Sequence, residues 1–225
     1  MPNTLPTLER IVVLIPVRGL EGAKARLGEV IDAEERRALV EQLLARTVAA
    51  AAGMAAAAEI VVVSPDPDAL GLARSLGANG VAQVVGGLND GLEAGRARAI
   101  AAGADAVLVI PADLPAVAAH ELARIVELAR AEAASREAAG ASPRAIVALV
   151  TDRRGRGTNV LLVAPPAAIE FAFGEGSRAA HAAAARAAGA AYLEVTSPLD
   201  LDLDTPDDLL EAEAAGMGGL RAELP

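Results

Sequence analysis

Short β-branched runs alternate with long Ala/Leu/Glu/Arg stretches along most of this chain, and this alternation constrains its fold more than any other feature. Residues 11–17 (IVVLIPV) read as a buried strand, and 33–52 as a helix with apolar residues at Leu39, Leu43 and Leu44. Strand 60–64, helix 68–76 and strand 81–85 follow. Then come a helix over about 90–102, strand 106–110 and a long helix over about 118–138. The strands are apolar throughout, which suits a parallel sheet covered on both faces. Strand–helix alternation with right-handed crossovers predicts a doubly wound α/β fold.

Beyond Gly140 the rhythm changes. The strand-like runs 145–150 and 159–163 are joined by a charged, glycine-rich turn, DRRGRGT (152–158), which reads as a hairpin rather than another βαβ unit. A helix over 177–188 and a strand over 191–195 come next, and Pro206 opens a last short helix. A length of 225 residues suits one domain, with 215–225 expected to form a mobile tail.

Hydrophobic residues make up 53% of the chain but aromatic ones only 1%, so the core must be aliphatic, with alanine helices packed closely on Val/Ile/Leu strands. No apolar run approaches the roughly 18–20 residues of a membrane span. The first nine residues lack the basic-then-apolar pattern of a leader, so a cytoplasmic protein is expected. The lack of cysteine excludes disulfides, iron–sulfur clusters and thiolate metal sites. A formal charge of −10 argues against nucleic-acid and membrane-surface partners. Any anionic ligand must therefore be held by local cations, helix N-termini or a metal. The chain has one lysine, Lys24, among nineteen arginines, and a compact ammonium does work that a planar guanidinium does not.

Four constellations could carry chemistry. Asp113, in IPADLP, lies just past a central strand, where parallel sheets bind ligands, and Pro111 and Pro115 hold its turn stiff. In DLDLDTPDD, alternation puts Asp200, Asp202 and Asp204 on one side and Leu201 and Leu203 on the other, a crowding of like charge that a divalent cation would relieve. Helix capping is expected from Asp204 or Thr205 and metal contact from Asp202. The loop IPVRGLEGAKARL after the first strand carries Arg18, Lys24 and Arg26 and suits nucleotide phosphates, although it is neither a Walker sequence nor GxGxxG. In GGLNDG, Asn89 would contact the base or ribose, or cap the helix. Finally, GTN (157–159) and FGEGSR (173–178) suggest a glycine turn feeding a helix at Ser177, whose N–H groups and hydroxyl make an anion site. His181 falls on the same helix face as Ser177, as a candidate supporting hydrogen-bonder. With two histidines and no Ser–His–acid pattern, zinc hydrolysis and serine catalysis are disfavoured.

In order, IPVRGLEGAKARL, Glu35-Arg36, GLNDGL, IPADLP, DRRGRGTN, FGEGSRAAH and DLDLDTPDDL resemble the phosphoenolpyruvate / 2-phospho-L-lactate guanylyltransferases of deazaflavin coenzyme F-420 biosynthesis. These belong to the wider molybdopterin-guanylyltransferase-like group. The resemblance runs from Ile11 to Leu209. It implies a three-layer α/β sandwich of the nucleotide-diphospho-sugar-transferase type, with a mixed, mainly parallel sheet. It also implies GTP as co-substrate, Mg²⁺ as cofactor and a three-carbon phosphorylated acid as acceptor. By motif position, Thr158, Gly174 and Ser177 would hold the acceptor, within a portion spanning 145–200. Pro16, Arg18, Lys24, Arg26 and Asn89 would bind the nucleotide, Lys24 and Asp113 would be catalytic, and Asp113 and Asp202 would hold the metal. The sequence departs from the family pattern at Arg18, where lysine is more usual, and in an extra Ala/Glu-rich stretch near 131–140. A sugar-phosphate or molybdopterin transferase and a non-catalytic nucleotide-binding module are the rival readings. Phosphoenolpyruvate is preferred over phospholactate as acceptor, and the sequence leaves monomer and homodimer both open.

Overall fold

Successive residues of the central strands drop into two different aliphatic cores, one on each face of a single seven-stranded sheet. The computed structural model describes residues 7–21, 24–84, 86–141 and 143–215. The strands are β1 (Ile11–Pro16), β2 (Ala57–Ser64), β3 (Asn79–Ala82), β4 (Ala106–Val109), β5 (Ile146–Thr151), β6 (Thr158–Ala164) and β7 (Ala191–Glu194). Their order across the sheet is β3-β2-β1-β4-β6-β5-β7. β6 runs antiparallel to both β4 and β5, while the other pairings are parallel. The fold is therefore the expected mixed, mainly parallel three-layer sandwich, and the 145–163 region is the expected hairpin.

One face of the sheet packs Ile11, Val13, Ile15, Leu108 and Leu162 against α1 (Ala33–Ala52), α2 (Pro67–Ser75) and α4 (Ala119–Ala138). The opposite face packs Val12, Leu14, Val107, Val109 and Val163 against α3 (Leu88–Ala101) and α5 (Ser177–Ala187). α3 comes very close to the sheet because it is built on glycine. A Cβ on Gly95 would stand 3.0 Å from Leu14 Cδ2, and one on Gly91 would stand 2.9 Å from Val63 Cγ1. The near absence of aromatics is thus met by short interlayer distances rather than by large side chains. A third cluster joins Leu39 and Leu43 of α1 to Leu201, Leu203 and the last helix, α6 (Pro206–Ala214). α1 consequently serves two cores, since Leu44 faces the sheet.

Boundaries differ most at the sheet edge. β3 starts at Asn79 rather than at 81, pairs with β2 alone, and leaves Val84 outside it at 85% exposure. Residue 85, at the end of the expected strand, and the expected tail beyond residue 215 lie outside the described residues. The additional Ala/Glu-rich stretch is absorbed as the end of α4, which runs unbroken for 20 residues. No helix among the described residues is long and apolar enough to cross a membrane.

Candidate active site

β1 leads through α1 and α2 to β2 and β3 on one side, and the chain then returns through α3 to β4 on the other. β1 and β4 are thus neighbours whose connections leave in opposite directions. The crevice beyond their carboxyl ends is where such sheets take ligands. A cleft of about 800 Å³ opens there, lined among others by Pro16, Arg18, Lys24, Gln83, Asp113 and Asp204.

Lys24 is the centre of the arrangement. Its Nζ donates to Asp113 Oδ2 and to Asp204 Oδ1, both at 2.8 Å, and its side chain is only 10% exposed. Burial works against the ammonium charge, but the two carboxylates outweigh it and raise the pKa. The backbone at Lys24 is left-handed, with φ of 55°, a conformation costly for a side-chain-bearing residue. Its carbonyl accepts from Leu27 N at 2.8 Å, starting the short helical turn Ala25–Glu29.

The acids come together through backbone as well as charge. Leu203 N donates to the Asp113 carbonyl at 3.0 Å, laying the acidic segment beside the turn after β4. Leu201 and Leu203 are buried and Asp202 and Asp204 half-buried, which is the alternation expected. Burial raises the Asp202 pKa, and the facing charges of Asp113 and Asp204 raise it further. Burial also opposes ionisation of Asp204, yet Lys24 and Arg26 hold its pKa low. Capping proves to be the work of Thr205, which exchanges hydrogen bonds with Asp208. Asp204 is therefore a cleft residue, and its expected capping role passes to its neighbour.

Hard carboxylate oxygens that repel one another are a suitable donor set for Mg²⁺, which commonly takes one or two protein carboxylates and completes its shell with water and phosphate oxygens. Asp113 and Asp202, with Asp204 adjoining, fit that pattern. Among the described residues no group of three acidic or imidazole side chains is arranged to enclose a metal alone.

The loop after β1 is held by a residue that sequence reasoning missed. Asp66 Oδ2 accepts from Leu20 N at 2.8 Å while Oδ1 accepts from Asp68 N at the start of α2. The Leu20 N–H is the main reason for the low Asp66 pKa. A Cβ on Gly19 would come within 3.2 Å of the same carboxylate. The only signal in the sequence was an Asp before a Pro, which reads as a plain helix cap. Pro16 and Arg18 line the cleft; Arg26 is outside the lining and acts on Asp204 through charge.

The expected helix-capping role does not fall to Asn89, whose amide also stands outside the cleft lining. Nδ2 donates to Phe173 O at 3.1 Å and Oδ1 accepts from Phe173 N at 2.9 Å, tying α3 to the glycine loop. The residue preceding α3 is Gly87, whose N–H is taken by Asp90.

Reversal of β6 places Thr158, its first residue, at the same end of the sheet as Asp113. Asn159 staples this end to the acidic segment, its Nδ2 donating to the carbonyls of Leu199 and Asp200 at 2.9 and 3.0 Å. Ser177 is buried at the start of α5, but Gly176, with φ of 72°, is the residue that precedes the helix. Two N–H groups expected to face an anion are engaged internally, Ser177 N with Gly174 O and Arg178 N with Arg156 O. Gly174 has φ of 130°, which only glycine adopts readily. His181 is fully buried and touches both Thr158 and Ala172.

Solved structures share this architecture. One assigned as a nucleotide-diphospho-sugar transferase, from Desulfovibrio desulfuricans G20, aligns with a TM-score of 0.66 at 16% identity, covering 94% of this chain and 92% of that one. A 4-diphosphocytidyl-2C-methyl-D-erythritol synthase aligns at 0.59 with 16% identity, over 92% and 98% of the two chains. The fold is that of the nucleotidyltransferases. Within it, a family described as "Guanylyl transferase CofC like" matches residues 11–223. Relatives named phosphoenolpyruvate guanylyltransferase are 41% identical in Rubrobacter xylanophilus, over 92% of this chain and 95% of theirs, and 39% identical in Sphaerobacter thermophilus, over 89% and 91%. This chain belongs to the CofC-like guanylyltransferase family.

Proposed function

We propose that this enzyme moves GMP from GTP onto the phosphate of phosphoenolpyruvate, giving enolpyruvyl-2-diphospho-5'-guanosine and pyrophosphate for deazaflavin coenzyme biosynthesis. One observation carries the reading. The Lys24–Asp113–Asp204 centre and the Thr158–Ser177 end share one edge of the sheet, in a chain 41% identical to a relative that bears the enzyme's name.

The phosphate monoester of the acceptor is already an anionic nucleophile and needs no strong base. One of its oxygens bonds to the α-phosphorus of GTP in line with the departing β-phosphate oxygen, and the α–β bridge breaks to release pyrophosphate. The difficulty is bringing two anions together, which oriented donors solve by positioning and charge. Asp113 and Asp202 would hold Mg²⁺, and the ion bound there supplies charge neutralisation between the two phosphates. Lys24, already at the carboxylates, faces the nucleotide phosphates together with Arg18. Thr158, Gly174 and Ser177 hold the acceptor's anionic groups. Asp113 thus serves as a metal holder rather than as a proton acceptor.

The test is pyrophosphate release with GTP and Mg²⁺ across phosphoenolpyruvate, 2-phospho-L-lactate and 3-phosphoglycerate, with a downstream transferase capturing the unstable product. Release with phosphoenolpyruvate and none with GTP alone is the expected result. Preference for another acid replaces the acceptor assignment, and no release with any acid rejects catalysis of this type.

A further inference from the structure

Ala172 brings its backbone N–H within 3.0 Å of Nε2 of His181. A peptide N–H can only donate, so that ring nitrogen accepts and carries no proton. A neutral imidazole then holds its one proton on Nδ1, which stands 3.0 Å from Thr158 Oγ1. Between these two atoms the imidazole is the donor and the hydroxyl oxygen the acceptor. The same contacts fix the ring's orientation, since an imidazole turned by 180° would set C–H groups before both the Ala172 N–H and the Thr158 hydroxyl.

The consequence falls on the threonine. A hydroxyl has one proton to give and two lone pairs to offer. Were its proton directed at the ring, the oxygen would turn lone pairs toward any anion in front of it. With the ring donating instead, the hydroxyl proton is available to that anion. The arrangement is rigid: His181 has 0% exposure, and the Phe173 ring meets it edge-on with centroids 5.0 Å apart. Burial lowers the imidazole pKa to about 4, so the ring is neutral at ordinary pH.

We propose that His181 is a positioning residue that fixes the Thr158 hydroxyl as a hydrogen-bond donor to an anionic group of the acceptor substrate. This rests on the acceptor assignment made above for Thr158.

Three variants and one spectrum test it. Thr158→Val removes the hydroxyl. His181→Gln keeps an acceptor for Ala172 N–H but places no donor at the Nδ1 position. His181→Asn restores a donor there and abandons Ala172. With GTP and phosphoenolpyruvate, T158V and H181Q should each raise KM for the acid about tenfold, as for a lost hydrogen bond to a charged group. The double variant should be no worse than either single one, and KM for GTP should be little changed. H181N should keep a near-native KM for the acid even if its Tm falls. A raised KM in T158V without one in H181Q overturns the inference and leaves the acceptor site standing; an unchanged KM in T158V overturns both. Equal rises in H181N and H181Q, in step with loss of Tm, reduce His181 to a structural part. Nitrogen-15 spectra of the wild-type imidazole should show Nδ1 protonated and Nε2 not; the reverse pattern also overturns the proposal.

Discussion

The N–H of Leu203 donates to the carbonyl oxygen of Asp113 at 3.0 Å, joining two segments far apart in the chain. Through this bond the turn after β4 and the acidic stretch before α6 form one surface. Because Leu201 and Leu203 point into the third core, Asp202 and Asp204 face the other way, where Asp202 feels the charge of Asp113 and Asp204 meets Lys24. Packing of two leucines therefore sets the position of two carboxylates.

Asp113→Asn should lower turnover by roughly two to three orders of magnitude, as when charge stabilisation at a reacting phosphate is lost. The side chain is 30% exposed and sits in a turn, so Tm should change little. Steady-state kinetics beside a thermal melt will check this, and near-full activity would sink the metal-holding role.

Lys24→Met removes the ammonium bonded to both Asp113 and Asp204 and leaves their repulsion with Asp202 unrelieved. The variant should melt below the wild type in EDTA and gain more Tm than the wild type when Mg²⁺ is added, because a ligand bound only by the folded chain stabilises it. A smaller magnesium shift in the variant would count against these carboxylates as a cation site.

Asp66→Ala withdraws the acceptor from Leu20 N and from the first turn of α2. The loss should be about 1–2 kcal/mol of stability. Since the loop it holds lines the cleft, KM for GTP should rise while KM for the acid changes little. Equal rises in both would place the effect elsewhere.

The buried His181 makes stability depend on pH. Its pKa is lowered from 6.5 to about 4 by burial, so the unfolded chain takes up a proton at a pH where the folded chain refuses it. The contribution is complete above about pH 6.5 and declines as pH falls toward 4, by about 1.4 kcal/mol per unit. Urea unfolding at pH 7 and pH 5 should show a loss smaller by about 2 kcal/mol in H181Q than in the wild type. Equal losses in the two proteins would show that the imidazole ionises freely.

Much of the fold was legible because the strands are continuous aliphatic runs and the helices long enough to show their period. The hairpin was legible from its turn, DRRGRGT, but its place in the sheet was not. Nothing local says that β6 inserts between β4 and β5, since that follows from burial on both faces of strands distant in sequence. In the site, Lys24 stood out as a solitary residue type and Asp113 by its place after a strand. Asp204 was hidden because an acid before Thr-Pro also suits a helix cap. The loop contacts of Asn89 and Asp66 were hidden for the same reason. Each is a polar residue at a helix start whose bonds run to a distant loop, and periodicity carries no record of such bonds.

β6, the one reversed strand among the described residues, has a consequence for how the enzyme can be altered. β6 meets the ligand edge with its beginning, so the residues there follow a surface turn, 152–157, whereas β1 and β4 meet it with their ends. On the function proposed above, the two substrates are served by separable stretches of chain. Exchange of the turn and of the loop leading into α5 could change the acid that is accepted while the GTP side stays as it is, which makes the hairpin the place to begin a redesign of acceptor choice.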